Sequence, residues 1–230
     1  MVRSASDPIK YGPTMADRKD EDQVRAEFLE HMGDQLGQLH FDLRREIIML
    51  HAKWHEFTQL YAHSEERVKI LNRVAPWFFF LLQRTLLNDV LLHLCRLTDA
   101  PEQLEHENLT LRRIPEELPP GELRESVEQR LANLLDAVKF ARQHRNKKLA
   151  HLDLPTYRDE HPEPLQPATK QAVESALSIT RSLMHEVQYH YVGSKEAYEQ
   201  VFAAGDTQSL LGWLKKGIHA EDDKRKRLVD

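Results

Sequence analysis

Apolar residues recur at every third or fourth position from about Asp20 to His63, and this spacing predicts one long amphipathic helix. The apolar positions are Val24, Phe28, Met32, Leu36, Leu39, Leu43, Ile47, Leu50, Trp54, Phe57 and Tyr61. Gly33 and Gly37 weaken the first half of this helix, so we expect a bend there. The same spacing is typical of a coiled-coil seam, which makes the helix a candidate surface for a dimer.

Ser64 and Pro76 mark the starts of the next two predicted helices. Ser64 precedes two glutamates, as at a capped helix N-terminus, and proline is well tolerated in a first helical turn. The segment 77–97 is apolar on most of its circumference, so we expect it to be the central buried helix and its aromatic run 77–80 to belong to the core. Polar residues within it, such as Arg84 and Asp89, argue against a membrane span.

The same periodicity predicts four further helices, at about 122–144, 168–191, 195–203 and 205–217. Prolines mark 100–121 and 152–167 as connections, the first with a short helix at about 109–117. The chain is therefore predicted to be all-α, an up-and-down helical bundle with four to five core helices and a long N-terminal helix. The 8 glycines among 230 residues also leave few turns for a many-stranded sheet.

The two ends of the chain differ from its middle. Residues 1–19 lack the apolar stretch of a signal peptide and are expected to be a disordered tail. Residues 20–217 make up the predicted bundle domain, and 218–230 a charged tail. The one cysteine, Cys95, permits no disulfide within the chain. A reducing, cytoplasmic setting is therefore predicted, with this thiol packed as a small buried hydrophobe.

One basic stretch departs from the overall charge of −5, which itself argues against coating nucleic acid with the whole surface. Between Lys139 and Lys148 there are five Lys or Arg residues and no acid, and His151 follows. Cations at a helix C-terminus are favourable on dipole grounds alone, so a purely structural interpretation stays open. A site for an anion is the functional alternative.

The residue types in this stretch suit cleavage of an RNA phosphodiester. The fork of Arg145 matches phosphate oxygens, His151 can move a proton near neutral pH, and Asn146 can orient either side chain. Attack by a 2′-OH group needs such a base and such a cation, and in principle no metal. Flanking phosphates would be held by Lys139, Arg142, Lys147 and Lys148.

The spacing of the motif sets a geometric condition. Arg145 and His151 are six residues apart, so on a straight α-helix they point about 120° away from each other. They can meet only if the helix bends or ends within the motif, or if a second subunit completes the site. A symmetric dimer would also supply a second histidine, and acid–base cleavage usually needs two proton carriers.

The run HRNKKLAHLD (144–153) resembles the Arg–polar–x–His signature of HEPN domains, with Arg145, Asn146 and His151 in the signature positions. Together with CRLTDAPEQLEHENLTL (95–111), it is similar to the abortive-infection, AbiU-like branch, and the similarity covers roughly residues 20–215. The resemblance implies an all-α homodimer whose two motifs face each other and form a metal-independent endoribonuclease site. Arg145 and His151 would be catalytic, and Asn146 would support them.

The resemblance also sets expectations about partners and activity. Such proteins commonly act in toxin–antitoxin or phage-defence systems, and here an antitoxin would be a separate chain. Some HEPN members have lost activity, so an inactive dimer that binds RNA, a nucleotide or a protein remains the alternative. No cofactor is predicted. No metal is predicted either, because His51 and His55 form a possible ligand pair without an indicated third ligand. Arg96 and Asp99 are expected to form an ion pair at a helix end or to line the site.

Overall fold

The computed structural model describes residues 20–103, 105–150, 154–158, 165–199 and 206–229. The predicted tail 1–19 lies outside these residues. The α-helices are α1 (Glu21–Met32), α2 (Asp34–Tyr61), α3 (Glu65–Val74), α4 (Pro76–Arg96), α5 (Ile114–Glu117), α6 (Glu122–Ala137), α7 (Lys139–His144), α8 (Leu154–Tyr157), α9 (Lys170–Val192) and α10 (Thr207–Val229). A short ribbon pairs β1 (Glu102–Gln103) with β2 (His106–Glu107) in antiparallel register. The predicted all-α class is confirmed.

The predicted long N-terminal helix is broken at Gly33, between α1 and α2. Gly33 has a φ angle of 81°, in the left-handed region that favours glycine. The rings of Phe28 and His40 lie 4.8 Å apart, and Arg25 Nε donates to Gln38 Oε1 at 2.7 Å. The chain therefore reverses direction, which is more than the expected bend. Most of the predicted seam is buried within this chain, so it needs no partner helix.

At Gly37 the backbone of α1 lies so close to α2 that there is no room for a side chain. A Cβ atom there would lie 2.6 Å from the backbone oxygen of Phe28. We expect Gly37→Ala to destabilise the protein by about 1–3 kcal/mol, because rigid backbone must move. The helical Gly212 has no heavy atom within 4 Å of such a Cβ, so Gly212→Ala should instead stabilise by about 0.5–1 kcal/mol. Urea denaturation of both variants checks this, and a stabilising Gly37→Ala would contradict the close approach.

The central helix of the bundle is α2. It packs against α1, α3, α4 and α9, and its Leu43, Ile47 and Leu50 are fully buried. The helices α6 and α9 pack against each other, and α7 packs against α4. The prediction that 77–97 is the central helix is wrong, because α2 occupies that place. The predicted bundle of four to five core helices corresponds to α1, α2, α4, α6 and α9.

The first half of α4 is exposed. Trp77 and Phe78 are 69% and 60% exposed, and Phe80 and Leu81 are exposed as well. Phe79 is buried in a small cluster with Leu60, Leu71 and Leu211. The prediction that the whole aromatic run belongs to the core is therefore wrong for the single chain, because α2, α3 and α10 cover only the side of this part of α4 that carries Phe79. By length and composition α4 could cross a membrane, but the core helix of a soluble protein passes the same test.

Some of the other predicted helix boundaries agree with the structure and some do not. Ser64 Oγ accepts a hydrogen bond from the backbone N–H of Arg67, and Pro76 starts α4, as expected. The last helix continues past Gly217 to Val229, although its final turns are solvent-exposed, as expected for a charged end. Residues 193–199 form no helix, in contrast to the helix predicted at 195–203, whose last residues lie outside the described ranges.

Candidate functional site

The basic stretch lies on α7 and on a π-helical turn that follows it, Arg145–Leu149. Phe140 and Ala141 are buried and fix α7 on the body of the protein. The N–H of Ala150 donates to the backbone oxygen of Arg145 at 2.8 Å, five residues back instead of four. The regular α-helix thus ends at the arginine of the motif. The regular helix is therefore interrupted within the motif, which is one of the two arrangements that would let Arg145 and His151 meet.

The side chain of Arg145 is held by two polar neighbours. Its Nη1 atom donates to both carboxylate oxygens of Asp99, at 2.7 and 2.9 Å. Its Nε atom donates to Asn146 Oδ1 at 3.1 Å. The side chain is 28% exposed, so part of the guanidinium still meets solvent. The structure therefore brings two of the three predicted catalytic residues, Arg145 and Asn146, into direct contact.

Arg142 shares the same carboxylate. Its Nη1 donates to Asp99 Oδ1 at 2.6 Å, and its Nη2 donates to the hydroxyl of Thr98 at 2.8 Å and to the Thr98 backbone oxygen. Arg142 was predicted to bind RNA, and that role stays a prediction. In this structure its guanidinium is already engaged by the turn that follows α4.

For Asp99 the sequence left two interpretations open, an ion pair with Arg96 at a helix end or a place in the lining of the site. The expected helix-end pair with Arg96 does not form, since the ion-pair partner of Arg96 within the described ranges is Asp89, at 3.9 Å. Asp99 instead lines the site, 19% exposed, between Arg142 and Arg145. These contacts were hard to infer from the sequence, because more than forty residues separate Asp99 from both arginines.

The remaining basic residues lie around this cluster. Lys139 is exposed and pairs with Asp136 at 2.5 Å, Lys148 is exposed, and Lys147 is half-buried. His144 and Gln143 bind the backbone of Gln166, at 2.9 and 3.1 Å, so the chain returns to α7 at that residue. The predicted catalytic His151 lies outside the described residues.

Cys95 lies beneath the arginine cluster and is fully buried, as predicted. Burial raises the pKa of its thiol to about 11, although the nearby Arg145 and Arg142 act in the opposite direction. The thiol is thus held in its neutral form and is unsuited to act as a nucleophile. Within the described ranges, no group of three or more His, Cys, Asp or Glu side chains is arranged to hold a metal ion.

The family model HEPN_AbiU2, described as AbiU2, matches residues 34–207. The chain belongs to the HEPN_AbiU2 family. The match runs from the start of α2 to the start of α10, so it includes Asp99, the basic stretch and the π-helical turn. The predicted HEPN, AbiU-like resemblance is thereby confirmed. No curated protein and no solved structure matches the chain significantly.

Proposed function

We propose that this member of the HEPN_AbiU2 family is a metal-independent endoribonuclease that acts as a toxin or phage-defence component. The observation that carries the proposal is the placement of Arg145. It lies at the end of the α-helix, its guanidinium is oriented by Asp99 and Asn146, and part of it is open to solvent. A fixed cation at an exposed helix end suits the phosphate of a polymer that must approach from outside.

The proposed reaction is an internal transfer within RNA. His151 takes the proton of a 2′-OH group, and the 2′-oxygen attacks the adjacent phosphorus. The bond from phosphorus to the 5′-oxygen breaks, and that oxygen receives a proton from the second histidine, which is His151 of the other protomer of the proposed dimer. The products are a 2′,3′-cyclic phosphate and a 5′-OH end. Arg145 offsets the charge that builds up on the phosphorane oxygens, and Lys139, Lys147 and Lys148 hold neighbouring phosphates.

We also propose that the protein is a homodimer that uses the exposed face of α4. Trp77, Phe78, Phe80 and Leu81 together expose on the order of 400 Å² of apolar surface. This is about half of the ~800 Å² that each partner buries in an interface of standard size. A second copy is the proposed occupant of this face, because HEPN domains, the family to which the chain belongs, commonly dimerise.

Trp77→Ser combined with Phe78→Ser should convert the dimer to a monomer, as measured by light scattering after gel filtration. The control is Met49→Ser on α2, another exposed apolar side chain, which should leave the mass unchanged. Loss of the dimer in the Met49 variant alone would place the interface on α2. A wild-type protein that is monomeric at all accessible concentrations would refute the dimer.

The function is tested by incubating the purified protein with a single-stranded RNA in excess EDTA. We expect cleavage to continue in EDTA, to yield cyclic-phosphate ends, and to stop when the 2′-OH at the cut site is replaced by hydrogen. Cleavage that requires a divalent ion would exclude this mechanism. Binding of RNA without cleavage, and without growth arrest on expression in cells, would favour the inactive-scaffold alternative. A cytoplasmic location and a separate antitoxin chain are part of the same proposal.

A further inference from the structure

Asp99 contacts the motif from a distant part of the chain. Both of its carboxylate oxygens accept hydrogen bonds from Arg145 Nη1, and Oδ1 also accepts from Arg142 Nη1. One carboxylate thus joins two guanidinium groups that would otherwise repel each other. Charge-assisted hydrogen bonds of this length are roughly twice as strong as neutral ones. The contact is therefore strong enough to decide where the Arg145 side chain lies.

The backbone that carries Asp99 is itself fixed. The Thr98 hydroxyl donates to the backbone oxygen of Leu94 at 2.7 Å, which holds the turn on the end of α4. The Thr110 hydroxyl donates to the backbone oxygens of Leu97 and Asp99, at 3.0 and 2.9 Å. Thr98 and Thr110 are buried, so these bonds are shielded from water. The carboxylate is thus presented from a rigid support.

Arg142 and Arg145 differ in what else they contact. Arg142 reaches back to Thr98, so it ties the carboxylate to the end of α4. Arg145 extends from the π-helical turn and, among the residues that the structure describes, has Asn146 as its other polar contact. The arrangement has one arginine that anchors Asp99 and one arginine that Asp99 orients.

We propose that Asp99 is the positioning residue of Arg145. It fixes the guanidinium at the end of the α-helix, so that the exposed part is already aligned when a phosphate arrives. This inference rests on the proposed ribonuclease function. A long side chain that is not held samples many rotamers, and fixing it in advance removes that cost from the reaction. Asp99 itself does not touch the reacting atoms.

Asp99→Asn keeps the shape of the side chain and removes its charge. We expect it to lower kcat for RNA cleavage about 10- to 100-fold with KM changed less than about threefold, because a catalytic group displaced by about 1 Å loses activity on that scale. In an Arg145→Lys background the amine cannot keep the planar fork geometry. There, Asp99→Asn should change kcat by less than about threefold. Equal losses in the two backgrounds would overturn the proposal.

A matched control and a second variant distinguish an effect on the position of Arg145 from an effect on folding. Asp89→Asn removes a carboxylate from α4 itself, where it pairs with Lys53 at 2.7 Å, and should leave kcat unchanged. Asp99→Glu keeps the charge but moves it by one methylene group. It should retain the wild-type melting temperature and still lower kcat, so it decides the question if Asp99→Asn does not fold. Full kcat in Asp99→Glu would refute positioning.

A measurement without cleavage distinguishes this inference from the proposed function. The Nη1–H signal of Arg145 in low-temperature NMR spectra, assigned by its loss in Arg145→Lys, should exchange slowly with water in the wild type and rapidly in Asp99→Asn, because Nη1 is the atom that donates to Asp99. If the wild type does not cleave RNA, the proposed function fails, while this signal still decides whether Asp99 holds Arg145. An unchanged signal in Asp99→Asn would overturn the inference alone.

Discussion

Alanine at Arg145 or at His151 is expected to lower the rate of RNA cleavage by at least about 10²-fold, because each removes either charge stabilisation or proton transfer in the transition state. For Arg145 the expectation follows from its oriented and partly exposed guanidinium. For His151 it follows from the HEPN signature. Cleavage rates and far-ultraviolet circular dichroism check the prediction together, since helical content should not change.

Matched substitutions and a mixed dimer sharpen this test. Arg124→Ala and His63→Ala remove an arginine and a histidine away from the motif and should leave the rate within about twofold of wild type. A purified heterodimer of wild type and His151→Ala should be nearly inactive if the two motifs form one site with two proton carriers. It should keep about half of the activity if each protomer cleaves alone. Full activity of either single variant would contradict the catalytic assignment.

The fold shows which features a single sequence can reveal. Apolar spacing identified α2, α6 and α9, because each of these helices buries one continuous face. It did not distinguish a bend from a reversal at Gly33, since both use the same glycine and only the packing of α1 on α2 selects between them. It also failed for the start of α4, where an aromatic run looks the same whether it faces the core or a partner.

Part of the candidate site could likewise be predicted from the sequence and part could not. On a straight helix Arg145 and His151 point apart, so their meeting required either an interruption of the helix or a second subunit. The π-helical turn at Arg145–Leu149 is such an interruption. The neighbour of Arg145 was harder to infer. Asp99 and Arg96 are three residues apart and suggested a local pair, but the end of α4 directs Asp99 toward α7 instead. Contacts between helices distant in sequence are set by packing, which periodicity does not report.

A fall in pH from 7 to about 4 is expected to remove most of the stability of the fold. Burial lowers the pKa of His40 to about 4, and burial together with the nearby Arg181 lowers the pKa of His51 to about 4. Both values lie below the unfolded value of 6.5, so the unfolded chain binds the extra protons. Stability is therefore complete above pH 6.5 and is lost as the pH falls toward 4, by on the order of 3 kcal/mol for each histidine.

Burial also lowers the pKa of His93 to about 4, but Glu46 Oε2 lies 3.0 Å from its Nε2 and would favour the protonated ring. The prediction therefore rests on His40 and His51. It is checked by the free energy of unfolding in urea between pH 7.5 and 4.5. Its slope should approach about 1.4 kcal/mol per pH unit for each buried histidine, already above the range in which carboxylates titrate.

His51→Leu provides the decisive comparison for the acid response. The ring of His51 is buried beside Tyr198, and its Nε2 has no hydrogen-bond partner in the part of the chain that the structure describes. Leucine removes the proton-binding group, so the slope between pH 6.5 and 5 should fall by about half, given that each buried histidine contributes equally to proton uptake on unfolding. His63→Gln, at an exposed position, should keep the wild-type slope. A wild-type free energy of unfolding that stays constant between pH 7 and 5 would show that the buried rings do not resist protonation.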